Sequence, residues 1–154
     1  MTVEVGKKAP EFTLPADSWE REVSLQDELR DGPLVLFFYP GDWSSVCTDQ
    51  LEVIEDYLPQ FEERGARVAA ISVDSPWSHA AFAHARELTI TLLSDFDREV
   101  TKSYGILRDE GFPDRAYFVI GKDGTVLARR VEESPSKSPD PEDVISDLDR
   151  AVLS

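Results

Sequence analysis

Residues 33–50 read PLVLFFYPGDWSSVCTDQ, and the order of their parts decides the fold. The first seven, PLVLFFY, are a nearly unbroken apolar run of strand length, the pattern of a central strand buried on both faces. Pro40, Gly41 and two serines end it. A helix is predicted from about Ser45 to Arg64, because Leu51, Ile54, Leu58 and Phe61 share one face and Gly65 stands just past the end. Pro59 inside this stretch predicts a kink or a split. The chain's single cysteine, Cys47, lies at the mouth of that helix. A thiol packed for volume fits anywhere on an apolar face; this one lies where first-turn N–H groups have no helical partner.

Working outward, Glu11–Leu14 and Glu22–Leu25 read as short edge strands, and Leu25–Arg30 as a helical turn closed by Asp31-Gly32-Pro33. RVAAISVD (67–74) is the next strand. SPWSHAAFAHAREL (75–88) follows as a helix with Ser75 at its N-cap and Pro76 at its first position. ITLLSD (90–95) reads as a strand and Arg98–Tyr104 as a short helix stopped by Gly105. AYFVI (116–120) and TVLARRV (125–131) flank Gly121-Lys122-Asp123-Gly124, the pattern of an antiparallel hairpin. SPSKSPDP (134–141) is a loop. Asp140 then caps a last amphipathic helix with Val144, Ile145, Leu148 and Val152 inward. This alternation predicts one α/β domain over residues 1–154, a central mixed sheet with helices on both faces. Active groups in such sheets lie beyond the C-terminal ends of strands, where Cys47 falls.

At 154 residues, 41% hydrophobic and 10% aromatic, the chain is long enough for one core and globular in composition. No stretch approaches the ~18 apolar residues of a membrane span. The N-terminal MTVEVGKKAPEF lacks the apolar region of a secretory leader. One cysteine excludes an intramolecular disulfide and fits a reducing cytosol, so a cytoplasmic protein is expected. One Cys and two His fall short of a structural zinc site, and neither metal nor cofactor is expected. A net charge of −15 argues against nucleic acid and anionic membranes as partners. The acidic residues are scattered rather than gathered in a tail, and lysine is scarce beside them. The pattern predicts a protein adapted to molar salt, where the Debye length falls to ~3 Å, with an ordinary acidic cytosolic protein as the alternative.

If Ser44 is the N-cap, Cys47 is the third helical residue, in reach of the N–H groups that a capping-box glutamate occupies. Magnitudes show that this is not enough for a reactive thiolate. Bringing a free thiol from ~8.5 to about 6 takes roughly 3.4 kcal/mol, while a helix N-terminus supplies about 0.3–1, rising to ~2 when partly buried. A specific cation is required. The competing reading is a buried small hydrophobe, against which the polar neighbours Asp42, Ser44, Ser45, Thr48, Asp49 and Gln50 count. Arg115, beside Asp114, reads on its own as a rim residue. His79 and His84 are five apart, a spacing that does not align two metal ligands on one helix face, and both read as structural. Trp43 and Trp77 read as packing residues, with walls of the pocket as the alternative. The SSVC spacing is that of a C-x-x-C redox motif with its first Cys replaced by Ser, so dithiol electron transfer is impossible.

The stretch FYPGDWSSVCT resembles the active-site motif of the peroxiredoxins (the alkyl hydroperoxide reductase and thiol-specific antioxidant superfamily), Pro-x-x-x-Thr/Ser-x-x-Cys, with Pro40, Ser44 and Cys47 in register. GKKAPEFTLP resembles the family's N-terminal strand region, AAISVDSPWSHAAFA its next strand and helix, and DRAYFVIGKDGTV its Arg-bearing strand and hairpin. The resemblance spans Val5 to Val131. It implies a thioredoxin-like fold, a homodimer and a peroxidatic Cys47. It also implies that Ser44 holds the thiolate and peroxide oxygen, that Pro40 shields the sulfur, and that Arg115 is the required cation. The implied activity is a thiol-dependent peroxidase acting on hydrogen peroxide and organic hydroperoxides through a cysteine sulfenic acid. With no resolving cysteine, the one-Cys type is expected, regenerated by an external low-molecular-weight thiol or a thioredoxin- or glutaredoxin-like protein. One departure is Gln50, three residues past the cysteine, where the family usually has a carboxylate; an amide still hydrogen-bonds an arginine. Two other classes are a peroxide-sensing binding protein switched by Cys47 oxidation and a Cys hydrolase with His79 or His84 as base.

Overall fold

Every residue of the run 34–39 is buried, because the strand it forms runs down the middle of a sheet covered on both sides. The computed structural model describes residues 2–132, 134 and 137–153. In chain order the elements are β1 (Thr13–Pro15), β2 (Glu22–Ser24), α1 (Leu25–Glu28), β3 (Leu34–Phe38), α2 (Ser45–Glu63), β4 (Arg67–Ser72), α3 (Pro76–Arg86), β5 (Thr91–Ser94), α4 (Glu99–Ser103), β6 (Arg115–Ile120), β7 (Val126–Glu132) and α5 (Pro141–Leu153). The main sheet has the order β5-β4-β3-β6-β7; β1 and β2 form a separate antiparallel pair. β3, β4 and β5 are parallel, while β6 and β7 are antiparallel to their neighbours. The mixed sheet and the thioredoxin-like fold expected from the sequence are both present.

Alternate residues of β3 divide between two cores, as the two-residue period of a strand requires. Leu34, Leu36 and Phe38 join Leu25, Val100, Tyr104 and Phe118 on one face. Val35, Phe37 and Tyr39 join Leu51, Ile54 and Phe61 of α2, Phe82 of α3, and Val144 and Leu148 of α5 on the other. Cys47 belongs to this second core.

Most boundaries move inward by one or two residues from those read in the sequence. β1 begins at Thr13 rather than Glu11, and α3 stops at Arg86, with Glu87 taking a left-handed φ of 55°. Pro59 does not split α2, which runs as one helix from Ser45 to Glu63. The proline costs about 3 kcal/mol. Buried anchors on either side, Leu51, Ile54 and Phe61, each return about 1.5–3 kcal/mol and hold the halves together. Gly65 follows the helix with φ +73°, and its carbonyl lies where a Cβ on Gly32 would stand, so position 32 admits glycine alone. Asp140 caps α5 by accepting the Glu142 N–H at 2.9 Å. Residues 135 and 136 of the expected loop and the side chain of Val152 lie outside the described residues.

Glu28 is a carboxyl on the buried side of α1. Burial raises its pKa above the ordinary glutamate value, against the lowering effect of Arg67. Its contribution to stability is therefore full with the proton on and is lost as pH rises through the raised value. Glu28→Gln is expected to raise the melting temperature at pH 7 and to change it little at pH 3.5, as thermal melts at the two pH values will show.

Candidate active site

Two strands bring the site together at one end of the sheet. β3 ends at Phe38, and the chain passes through Tyr39 and Pro40 into the start of α2. β6 runs antiparallel beside it, with Ala116 opposite Phe38, so Arg115 enters the sheet at the edge where β3 leaves it. The topology thus places residues 47 and 115 together across 68 positions of sequence.

Ser44 is the N-cap of α2: its φ is −68° and ψ 145°, and its hydroxyl oxygen accepts the Cys47 N–H at 3.1 Å. The Ser44 carbonyl accepts the Thr48 N–H at 2.9 Å. With its oxygen used in the cap, the hydroxyl keeps its own proton to donate. Cys47 is the third helical residue, and its residue exposure is 0%. The polar neighbours divide: Ser44, Ser45 and Asp49 face solvent, Thr48 and Gln50 are buried, and Cys47 itself belongs to an apolar core. Pro40 stands half-buried at the strand end.

Arg115 is 2% exposed and is not a rim residue. Its neighbour Asp114 pairs with Arg108 instead, at 3.1 Å. The Arg115 Nη2 donates to Cys47 Sγ at 3.1 Å and its Nη1 to Gln50 Oε1 at 2.6 Å. A permanently charged guanidinium therefore lies against the sulfur and is aimed there by an amide. Gln50, at 4% exposure, directs its side-chain oxygen to this task, while its buried Nε2 has no hydrogen-bond partner among the described residues. The arrangement offers an attacking sulfur, a fixed cation, and a hydroxyl beside them. A groove of about 460 Å³ lined by Leu58, Phe61, Arg67 and Ile90 contains none of these residues.

The backbone between strand and helix is held by a network that the sequence did not bring to notice. Asp42, its side chain wholly buried, accepts from the Tyr39 hydroxyl at 2.7 Å and the Ser78 hydroxyl at 2.8 Å, and meets His79 Nδ1 at 2.9 Å. Its own N–H donates to Asp74 at 2.7 Å. Burial and the Asp42 carboxylate push Tyr39 well above the usual tyrosine range, keeping it a donor. Next in the chain, Trp43 takes a φ of +71°, a left-handed conformation costing about 1–3 kcal/mol that persists because its surroundings fix it. Trp43 is 51% exposed and stacks edge-on against Phe82; Trp77 is also exposed, so neither is a core packing residue. The one signal for the network was topological: β3 and β4 are parallel neighbours, so the segments leaving them share an edge.

His79 and His84 part company here. His79 is buried against Asp42 and the Leu93 carbonyl, whereas His84 is exposed on α3. Neither is among the partners of Cys47, and the described residues contain no cluster of metal-ligating groups.

The family described as AhpC/TSA matches residues 5–129. The chain is 36% identical over 135 residues to the putative peroxiredoxin bcp of Coxiella burnetii, covering 83% of this chain and 88% of that protein. It is also 36% identical to the chloroplastic 2-cysteine peroxiredoxin of Chattonella marina var. antiqua, covering 82% and 69%. Among solved structures, reduced 2-Cys peroxiredoxin of Plasmodium vivax superposes with a TM-score of 0.87 at 28% identity, over 94% of this chain and 80% of that one. Peroxidoxin BcpB of Mycobacterium tuberculosis gives 0.80 at 29% identity, over 97% and 94%. The chain belongs to the AhpC/TSA family of peroxiredoxins, and that membership supports thiol-dependent peroxidase activity.

The contact between Arg115 and Cys47 has a measurable consequence. Arg115→Ala is expected to slow peroxide oxidation of Cys47 by about 10²–10³, the loss seen when one preorganised donor to a developing charge is removed. Arg115→Lys is expected to recover only part, since an ammonium keeps the charge without the two-donor fork. Stopped-flow rates at pH 7 and at a pH where the thiol is ionised in all three proteins will show whether the deficit persists in the thiolate.

Proposed function

We propose that the protein is a one-Cys peroxiredoxin, with residues 1–154 acting as a single thioredoxin-like domain that reduces hydrogen peroxide and organic hydroperoxides. The observation that carries this reading is Arg115 Nη2 at 3.1 Å from the sulfur of the only cysteine in the chain. The Cys47 thiolate attacks one peroxide oxygen. The S–O bond forms as the O–O bond breaks, and the other oxygen leaves as hydroxide or alkoxide, which takes a proton from solvent to become water or an alcohol. Arg115 and the Ser44 hydroxyl stabilise charge spreading over the breaking bond. Pro40, at the strand end, keeps bulk water from the sulfur.

The product is a cysteine sulfenic acid. With no second cysteine to condense with, it is reduced by external thiol: one thiol displaces water to give a mixed disulfide, and a second releases Cys47. Zero exposure of Cys47 favours a small thiol over direct attack by a protein thiol. A homodimer is part of the reading, supported by Trp19, Trp77 and Phe96, exposed aromatics whose rings meet edge-on at 5.8 Å. So is a cytosolic setting, where thiol reductants abound. Among the described residues no helix is long and apolar enough to cross a membrane.

Intact mass after one equivalent of peroxide is expected to rise by one oxygen atom, to return on adding thiol, and to rise by a second oxygen in excess peroxide. Rapid appearance of a disulfide-linked dimer on a non-reducing gel will contradict the one-Cys mechanism. Continuous peroxide consumption with excess thiol separates a peroxidase from a sensor, which needs oxidation only once.

The charge of −15 also carries an expectation, that of a protein built for molar salt. Raising ionic strength from ~0.1 M to ~1 M shortens the Debye length from about 10 Å to 3 Å and screens self-repulsion. The melting temperature is expected to climb across that range. A flat or falling series removes the salt-adapted reading and leaves the peroxidase reading in place.

A further inference from the structure

His79 has acceptors at both ends of its ring. Nε2 lies 3.0 Å from the Leu93 carbonyl, which only accepts, so Nε2 carries a hydrogen. Nδ1 lies 2.9 Å from Asp42 Oδ2, an oxygen that already receives the Ser78 hydroxyl, while Oδ1 receives the Tyr39 hydroxyl. A second proton therefore sits on the line between Nδ1 and Oδ2. Without it, a nitrogen lone pair faces a carboxylate lone pair inside a site with no exposure on either side chain. The groups around this pair come from every neighbouring segment: Tyr39 from the end of β3, Leu93 from β5, Ser78 from α3, and Asp74, reached through the Asp42 N–H, from the turn after β4.

We propose that His79 is a positioning residue for Cys47, acting through Asp42 on the turn that carries Trp43 and Ser44. Asp42 immediately precedes the left-handed Trp43, and Ser44 immediately follows it, so the anchor at 42 sets the direction from which Ser44 caps the helix. Cys47 is three residues on and meets Arg115 across a single 3.1 Å contact. A shift of ~1 Å at such a contact is enough to cost about 10²-fold in rate. The proposal rests on the peroxidase reading of Cys47 and adds a residue the reaction itself does not touch.

The test compares wild type with His79→Gln, Asp42→Asn and the double variant in two reactions of Cys47. Oxidation by hydrogen peroxide needs sulfur, Arg115 and Ser44 in register; alkylation by iodoacetamide, run at a pH where the thiol of every variant is ionised, reports access to the buried sulfur. Each single variant is expected to slow oxidation at least about tenfold with alkylation within about twofold of wild type, and the double variant to lose no more than the worse single one. A purely structural histidine lowers the melting temperature and speeds alkylation as the buried site opens. Oxidation within about twofold of wild type in His79→Gln, alkylation that changes more than about twofold, or additive losses in the double variant will overturn the proposal. Should the variants fail to fold, ¹⁵N-histidine spectra of the wild type at pH 7.5 decide it, with His84 assigned through His84→Gln. A hydrogen bond between His79 Nδ1 and Asp42 is expected, and an Nδ1 without one overturns the proposal. A wild type that peroxide does not oxidise defeats the peroxidase reading alone, since the alkylation and nitrogen measurements still answer for His79.

Discussion

Arg115 brings a permanent positive charge to 3.1 Å from the sulfur of Cys47, with both groups out of contact with solvent. Near a protein surface a charge at this distance is screened by water, but solvent is excluded here and the arginine's field reaches the sulfur with less screening. The rest of the architecture can be understood as what keeps the two groups in place. β6 must enter the sheet where β3 leaves it, which fixes the antiparallel pairing of these two strands in a sheet otherwise begun by parallel β3, β4 and β5. The helix that carries Cys47 must start at once, which requires the turn through residues 40–44 and its strained Trp43. Gln50, one turn along α2, then holds the guanidinium in aim.

Gln50 bears on the electrostatics of the site. A carboxylate at this position would share the positive charge of Arg115 between itself and the sulfur. The amide holds the guanidinium by one oxygen at 2.6 Å and adds no net charge. Placing that neutral oxygen on Arg115 leaves more of the arginine's field for Cys47.

Much of this was legible in the sequence, and the residues show why the rest was not. PLVLFFY announced a strand buried on both faces, and Ser44, Ser75 and Asp140 announced three helix starts, since capping chemistry acts within three residues. Local signals of this kind survive without tertiary knowledge. Arg115 did not announce itself: beside Asp114 it looked like one half of a surface pair, and only the fold shows that Asp114 belongs to Arg108. The resemblance, rather than spacing, brought it to the site. Pro59 misled in the other direction, because propensity is local and the buried anchors that override it are not. The Asp42–His79 contact joins residues 37 apart through a shared sheet edge, which no periodicity encodes.

Contact with Arg115 is what makes Cys47 react with peroxide. The rate of sulfenic acid formation in the unmodified protein under single-turnover conditions, set against that of free cysteine at the same pH, tests this, since the only cysteine supplies the whole signal. A rate at least about a hundredfold above that of the free amino acid is predicted, since a preorganised donor at the developing charge contributes about 10²–10³. A rate equal to that of free cysteine will contradict it.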